Sequence, residues 1–157
     1  MNYKTVNNIL YVVTPKPDEN TAKMFTHVLN VSYEPCNSLK NLGNLQHWAP
    51  INELGVWSWE AIFSCMRFLQ SIQPGAKLCI HCHAGVNRSQ TIAYMWLTSM
   101  GLSGSTEQKR PYELNLKRGH INPKTIEFIQ CMIMHPNDNC AGILLKSNLL
   151  KQTYPRR

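Results

Sequence analysis

A cysteine and an arginine with five residues between them could carry out chemistry in this sequence. Cys82 and Arg88 lie within HCHAGVNRS, the stretch from His81 to Ser89. A cysteine thiolate is a strong nucleophile, and a guanidinium binds phosphate or carboxylate oxygens through paired N–H donors. The Ser89 hydroxyl can hydrogen-bond the sulfur and ease its departure as a thiolate. These residue types predict attack by Cys82 on phosphorus while Arg88 binds the phosphate oxygens.

The flanking sequence predicts the elements that would position these residues. A mostly apolar run, Ala76 to Ile80, is typical of a buried strand, and the apolar stretch from Gln90 to Gly101 is typical of a helix. A strand, a glycine-containing loop and a helix direct backbone N–H groups and the positive end of the helix dipole toward one point. That point suits an anion, including a thiolate. We expect phosphate to be bound by His83, Ala84, Gly85, Val86, Asn87 and Arg88.

The same stretch resembles the signature loop of the cysteine-dependent protein phosphatases, in particular the compact dual-specificity branch that includes the poxvirus enzyme. The spacing of Cys82 and Arg88 is weak evidence by itself, and the added Gly85, Ser89 and preceding His81 make the match specific. The similarity covers about Ile9 to Met134. It implies a phosphatase fold, a cysteinyl-phosphate intermediate and no metal or cofactor.

The resemblance also assigns two supporting residues. Asn30 lies within an apolar, strand-like segment, His27 to Ser32, where similar sequences in dual-specificity phosphatases carry an Asn that supports the phosphate loop. Exposure at a sheet edge is the alternative interpretation of this polar residue. His81 directly precedes the nucleophile in the signature and is the second supporting residue.

The general acid is the point at which the sequence departs from its relatives. Loss of an alkoxide or phenoxide is slow unless an acid protonates the departing oxygen, and relatives supply an Asp about thirty residues before the cysteine. The only aspartates here, Asp18 and Asp138, fall outside that window. Where relatives often have Pro-Ile-any-Asp, this chain has Pro50, Ile51, Asn52 and Glu53. Glu53 is therefore the predicted general acid, with a solvated surface carboxylate as the alternative.

Other cysteine and histidine chemistry near the loop is also conceivable. Cys79 and Cys82 form a Cys-x-x-Cys with His81 and His83 nearby, but strand alternation separates them and no second ligand pair occurs at finger-like spacing. We therefore expect no metal, while Cys79 remains a candidate resolving partner for an oxidised Cys82. His83 is the only extra basic residue within the loop, whereas related phosphoinositide phosphatases carry lysines there. An inositol lipid substrate is accordingly disfavoured.

Composition limits the remaining possibilities. The chain has 157 residues, is 43% hydrophobic and carries a net charge of +7. This size predicts one domain, and the charge favours anionic partners, so phosphoproteins and, as a second class, RNA are the expected partners. No signal peptide or membrane-spanning run is evident, which predicts a soluble cytoplasmic protein without membrane association. The six cysteines lie mostly in apolar segments and are expected to be free thiols.

Alternating strand-like and helix-like segments predict an α/β fold with a single domain. Its central sheet is expected to be mixed but mainly parallel, with about four to five strands flanked by helices. The predicted strands are Ile9 to Val13, His27 to Ser32, Leu45 to Ile51 and Ala76 to Ile80. The predicted helices are Asp18 to Phe25, Ser58 to Ser71, Gln90 to Met100, a segment capped within Ser105 to Glu107 and ending near Lys117, and one after Asn122 and Pro123. Residues 1–134 form the predicted catalytic domain and residues 135–157 a tail of unknown role.

Three functions are compatible with these residues. The first is hydrolysis of phosphotyrosine and of phosphoserine or phosphothreonine in proteins. The second is an RNA 5′-triphosphatase: relatives with that activity also have Asn before the Arg, as Asn87 is here, and need no general-acid Asp. Ala84, Ser89 and Gln90 depart from the pattern of those relatives. The third is a phosphate-binding pseudophosphatase, suggested by the missing Asp and opposed by the intact Cys82.

Overall fold

The computed structural model describes residues 2–52, 57–83, 87–101, 108–118 and 121–134. Its strands are β1 (Lys4–Val6), β2 (Ile9–Thr14), β3 (His27–Asn30), β4 (Leu45–Trp48) and β5 (Lys77–His81). Its helices are α1 (Glu19–Ala22), α2 (Trp59–Gln70), α3 (Arg88–Ser99), α4 (Arg110–Lys117) and α5 (Pro123–Met134), and a single 3-10 turn spans Asn37–Leu39. The predicted tail, residues 135–157, lies outside the described residues.

The five strands form one mixed sheet in the order β1-β2-β5-β3-β4. β5 occupies the centre and pairs in parallel with β2 and β3, β4 pairs in parallel with β3, and only β1 is antiparallel. Parallel strands end at the same edge of a sheet, so the segments after β2, β3, β4 and β5 emerge side by side. The predicted α/β class with a mainly parallel sheet is confirmed.

Strand β1 was not predicted by the sequence analysis. Lys4–Val6 pairs with β2 so that Val6 lies opposite Ile9, and only Asn7 and Asn8 connect the two strands. Both asparagines have positive φ, at 46° and 63°. A two-residue turn with positive φ at both positions twists in the sense of the flanking strands and closes a hairpin tightly. The pair Asn-Asn is a weaker sequence signal for this turn than Asn-Gly, and β1 itself is short and polar.

Capping explains where two of the predicted helices begin. The Asp18 carboxylate accepts from the backbone N–H of Thr21 at 2.7 Å, which starts α1, and the Ser58 hydroxyl accepts from Ala61 N at 3.4 Å at the start of α2. Helix α1 ends at Ala22, earlier than predicted. Pro111 lies in the first turn of α4, where its missing N–H has no intrahelical acceptor to lose. The cap predicted within residues 105–107 lies outside the described residues.

The two faces of β5 belong to different parts of the core. Leu78 and Ile80 pack in the larger cluster with residues of α2, α3 and α5, whereas Cys79 packs in a smaller cluster with Val12, Phe25 and Val28. This division follows from the alternation of side chains along a strand. Cys82 belongs to the larger cluster, so the loop after β5 begins on the face of the sheet that α3 covers.

The cysteines within the described residues are free thiols, as expected. Cys65, Cys79 and Cys82 are buried, and Cys36 and Cys131 are half-buried. None of the described helices is long and apolar enough to cross a membrane.

Candidate active site

The candidate nucleophile lies at the end of the central strand. Cys82 directly follows β5, is 2% exposed, and precedes α3, which begins at Arg88. Ala84, Gly85 and Val86 of the predicted phosphate loop lie outside the described residues, so their predicted roles stay predictions. The structure therefore reproduces the strand and the helix that a phosphate-binding loop requires on either side.

Ser89 lies next to the candidate nucleophile. Its hydroxyl oxygen is 3.4 Å from the Cys82 sulfur, and the Ser89 side chain is fully buried in the first turn of α3. A hydroxyl at this position can donate a hydrogen bond to a thiolate, and it can do so without rearrangement because surrounding packing fixes it. The contact supports the role that the sequence analysis assigned to Ser89.

Arg88 joins the start of α3 to the segment that precedes Glu53. It is 7% exposed, and its Nη1 donates to the Ile51 carbonyl oxygen at 2.9 Å. Its Nε is buried and has no hydrogen-bond partner within the described residues. A buried donor that is left without a partner costs roughly 1–3 kcal/mol when the group is neutral and more when it is charged, unless a ligand or water satisfies it. A bound oxyanion would satisfy this donor.

Glu53 itself lies outside the described residues, but Ile51 before it and Trp57 after it make defined contacts. Ile51 is fully buried and bonded to Arg88, only two residues before Glu53. On the other side, the backbone N–H of Trp57 donates to the Thr125 hydroxyl in α5 at 3.1 Å. The role of Glu53 as general acid stays a prediction.

His81 is buried and neutral beside the nucleophile. It is fully buried, and burial lowers the pKa of its imidazole to about 4, with the nearby charge of Lys16 acting in the same direction. Its Nδ1 lies 3.4 Å from the Cys82 carbonyl oxygen. A carbonyl only accepts, so Nδ1 carries the proton and donates it to this bond. This contact ties the imidazole to the backbone of the nucleophile.

Asn30 organises the loop that follows β3. It is 5% exposed, which excludes the alternative of edge exposure. Its Nδ2 donates to the Glu34 carbonyl oxygen at 3.0 Å, and its Oδ1 accepts from the backbone N–H of Ser32 at 2.8 Å. Direct support of the phosphate loop by this side chain stays a prediction, since the bonds it makes within the described residues are to the 31–36 segment.

Two backbone contacts near the site could not be read from residue types. The Lys16 N–H donates to the His83 carbonyl oxygen at 3.3 Å, and the Val31 N–H donates to the His81 carbonyl oxygen at 2.8 Å. They join the segments after β2 and β3 to the start of the loop after β5. Any residue type can form such bonds, so the sequence contained no signal for them.

Cys79 is unsuited to the resolving role that the sequence left open. It packs on the opposite face of the sheet from Cys82, and residues three apart along an extended chain have Cα atoms about 10 Å apart. A disulfide needs a Cα separation of about 4.4–6.8 Å. Burial raises the pKa of the Cys79 thiol to about 12, which disfavours its reactive thiolate. Within the described part of the chain, no cluster of three His, Cys, Asp or Glu residues could hold a metal ion.

The overall fold is shared with phosphatases of known structure. PTPMT1 is 18% identical, the match covers 92% of this chain and 99% of that one, and the TM-score is 0.60. The core catalytic domain of the PP-IP phosphatase SIW14 from S. cerevisiae, in complex with citrate, is 15% identical over 98% of this chain and 97% of its own, with a TM-score of 0.59. DUSP15 is 16% identical over 92% of this chain and 95% of its own, with a TM-score of 0.58.

These relatives are cysteine-dependent phosphatases, and this chain has their fold. No protein-family model and no curated protein matches the sequence. At identities this low the likeness concerns the fold alone. The resemblance inferred from the signature loop is thereby confirmed at the level of architecture.

Proposed function

We propose that this protein is a cysteine-dependent phosphatase that hydrolyses phosphotyrosine and phosphoserine or phosphothreonine monoesters in proteins. The observation that carries the proposal is the 3.4 Å contact between Cys82 Sγ and Ser89 Oγ, beside the buried Arg88. Three groups thus lie at the end of the central strand β5. They are a nucleophile, a hydrogen-bond donor for the thiolate as it leaves phosphorus, and a cation for the phosphate. The shared phosphatase fold supports the same conclusion.

The first chemical step forms a cysteinyl phosphate. The Cys82 thiolate attacks phosphorus in line with the ester oxygen, so that the S–P bond forms as the P–O bond breaks. The electron pair of the broken bond stays on the ester oxygen, which takes a proton from the Glu53 carboxyl group. Arg88 and the loop amides stabilise the charge on the three remaining phosphate oxygens.

The second step releases phosphate. The Glu53 carboxylate takes a proton from water as the water oxygen bonds to phosphorus, and the electrons of the S–P bond return to Cys82. Ser89 donates a hydrogen bond to the sulfur as negative charge develops on it. Inorganic phosphate leaves, and the protonated Glu53 and the thiolate are ready for another cycle.

Ester substrates are favoured over anhydrides because the chain offers Glu53 as a proposed acid. The Arg88 guanidinium donates to the Ile51 carbonyl oxygen at 2.9 Å, two residues before Glu53, which supports this proposal. A phosphoanhydride leaving group needs little protonation, whereas an alkoxide or phenoxide depends on it. The absence of added lysines in the loop supports protein substrates over inositol lipids, although a further structure of PTPMT1 is in complex with PI(5)P.

An RNA 5′-triphosphatase is the second candidate. Asn87 immediately before Arg88, the lack of an Asp in the general-acid window and the net charge of +7 favour it. The third alternative, a binding protein without turnover, shares the same phosphate site.

Phosphate release distinguishes these functions. The substrates are matched phosphotyrosyl and phosphothreonyl peptides and a 5′-triphosphorylated RNA, and Cys82→Ser serves as the blank. We expect turnover of both peptides and none in the blank. Turnover of RNA alone would replace the protein substrate with RNA, and silence on all three substrates together with retained phosphate binding would indicate a binding protein.

A further inference from the structure

Strand β4 forms one edge of the sheet, and its outer side has no partner strand within the described residues. On its inner side, the backbone N–H groups of Leu45 and Ala49 donate at 3.0 and 2.9 Å to carbonyl oxygens of β3 and of the residue before it. Backbone groups alternate in direction along a strand, so the N–H and C=O groups of Gln46 and Trp48 point outward. These outward groups are a template for a further strand.

The opposite edge of the sheet, formed by β1, is blocked. The Gln108 side chain donates to the Thr5 carbonyl oxygen at 3.0 Å, and Lys4 places an exposed positive charge on the strand. Proteins use such devices because an open edge pairs with other chains. The sequence of β4, LQHW, contains no Lys, Arg, Asp, Glu or Pro that would block pairing. The two edges therefore differ in their readiness to accept a strand.

Exposed apolar side chains gather along the β4 edge. Leu45 and Trp48, at the two ends of the strand, are 63% and 44% exposed, and Met24 and Tyr33 beside it are each more than half exposed. Of the large apolar side chains that are exposed in the described part of the chain, only Leu114 in α4 lies elsewhere. Apolar side chains grouped in this way mark a surface that another molecule covers.

Hydrogen bonds place Met24 and Tyr33 at the same edge. Asn44, directly before β4, donates through Nδ2 to the carbonyl oxygen of Phe25 at 3.2 Å, one residue after Met24. Trp48 donates through Nε1 to the carbonyl oxygen of the residue before Tyr33 at 3.0 Å. The apolar surface thus extends past both ends of the strand.

The exposed area suits a reversible dimer. A large apolar side chain presents roughly 150–250 Å² when fully exposed, so the four half-exposed side chains offer about 400 Å² on each copy. Two copies would bury about 800 Å² of apolar side-chain surface, to which the backbone and polar groups of the edge add, and stable interfaces begin near about 1,200 Å² in total. This edge therefore has the area that a second copy needs.

We infer that this protein forms a symmetric dimer in which β4 pairs antiparallel with β4 of a second copy. The outward groups of Gln46 bond those of Trp48 in the other copy, and the two-fold axis generates the reciprocal pair. His47 lies at the axis, and Leu45 meets the end of the opposing strand. The two five-stranded sheets join into one continuous sheet.

The charges of the chain permit this pairing at neutral pH. Burial, and to a smaller extent the charge of Arg67, lowers the pKa of His47 below its usual 6.5, so the two imidazoles at the axis are neutral at pH 7. The net charge of +7 on each copy opposes association. Salt at about 0.15 M screens that repulsion beyond about 8 Å. The two catalytic edges point in opposite directions about the axis, so both stay open to substrate.

Sedimentation velocity of the full chain at pH 7 and physiological salt measures the association. Between about 5 and 500 μM we expect a shift from monomer to dimer, with a Kd of about 1–100 μM for an interface of this size. Leu45→Lys places a charge at the edge and should weaken the dimer about tenfold or more. Leu114→Lys adds the same charge at a leucine that is 49% exposed in α4, and it should leave the Kd unchanged.

Amide hydrogen exchange, followed by NMR, locates the interface. The outward N–H groups of Gln46 and Trp48 exchange readily in the monomer, whereas those of Leu45 and His47 face β3. Pairing of two copies bonds the outward groups, so their exchange should slow about fivefold or more from the lowest to the highest concentration. In Leu45→Lys the exchange of both amides should stay at the monomer rate over the same range.

A monomer throughout this range would leave the edge to a different partner and overturn the inference. Equal weakening by Leu45→Lys and Leu114→Lys would overturn it as well, as would a dimer in which Gln46 and Trp48 keep their monomer exchange rates. Circular dichroism shows whether Leu45→Lys retains the fold, and the exchange of the wild type decides the matter without that variant. Neither measurement involves turnover, so the result is independent of the proposed phosphatase activity.

Discussion

Cys79 and Cys82 lie three residues apart in one strand and its extension, yet their surroundings give them different chemistry. Cys79 packs among Val12, Phe25 and Val28, where burial raises the pKa of its thiol to about 12. Cys82 lies 3.4 Å from the Ser89 hydroxyl at the start of α3. Residue type alone does not distinguish a structural thiol from a nucleophile. The hydrogen-bond donors nearest the sulfur make that difference.

Ser89 should matter most for the second step, because it donates to the departing thiolate. Ser89→Ala removes one hydrogen bond to a charged group, worth about 1.5–3 kcal/mol, so we expect hydrolysis of the cysteinyl phosphate to slow by about 10- to 150-fold. Stopped-flow hydrolysis of p-nitrophenyl phosphate should then show a burst followed by slow turnover. Ser99→Ala, at the other end of α3, is the control. A uniform loss without a burst would contradict this role.

Glu53 should matter in proportion to the basicity of the leaving group. Glu53→Gln keeps the size of the side chain and removes the proton, so we expect kcat for a peptide phosphothreonine to fall by about 10²–10⁴. A phosphoanhydride substrate should lose much less, because its leaving group is already stable. The neighbouring, exposed Asn52→Ala provides the matched control. Equal activity of Glu53→Gln and wild type on both substrates would exclude Glu53 as the acid.

At the scale of elements, the site depends on where neighbouring strands end. β5 pairs in parallel with β2 and β3, so the segments after these strands meet and join through Lys16 to His83 and Val31 to His81. The chain before Glu53 is held by Arg88 and the chain after it by Thr125 in α5. Helix α5 therefore contacts Trp57, a residue distant from it in sequence.

Substitutions of Asn8 test how much the turn between β1 and β2 contributes to the free energy of unfolding. Asn8 has φ of 63°, a conformation that costs a β-branched side chain about 1–3 kcal/mol and costs glycine little. We expect Asn8→Val to lower the free energy of unfolding by at least about 1 kcal/mol and Asn8→Gly to leave it within about 0.5 kcal/mol. Urea denaturation measures both. If the valine variant proved as stable as the glycine variant, the turn would differ from the one described.

At the scale of the whole molecule, buried imidazoles make stability depend on pH. Burial lowers the pKa of His81 from 6.5 to about 4 and also lowers those of His27 and His47. Between pH 4 and 6.5 the unfolded chain binds more protons at His81 than the folded chain does. Stability contributed by neutral His81 is therefore present above pH 6.5 and is lost as the pH falls through this window.

A variant isolates the contribution of His81 from those of the other histidines. On going from pH 7 to 4.5, wild type should lose about 2 kcal/mol more free energy of unfolding than His81→Gln does. Urea denaturation at the two pH values gives this difference directly. If wild type and His81→Gln showed the same pH dependence, the imidazole would be protonated equally in the folded and unfolded chains.

Much of the fold could be predicted because its signals are local. Hydrophobic periodicity predicted α2 and α3, apolar β-branched runs predicted β2, β3 and β5, and the carboxylate of Asp18 predicted the start of α1. β1 was missed because three residues are too few to show a pattern. β4 ends at Trp48, before the predicted Ile51, although Ala49 and Ile51 beyond it are buried in the core.

The sequence by itself determined the order of the strands and helices after β1 and the nucleophile candidate, since Cys82, Arg88 and Ser89 lie within one short stretch whose spacing does not depend on packing. Only the tertiary structure decided which residues from distant segments lie near it: the Ile51 carbonyl at Arg88 and the Val31 N–H at the His81 carbonyl. Those contacts depend on strand order and on backbone groups that every residue carries. Periodicity reports which face of an element is buried, and it does not report which partner covers that face.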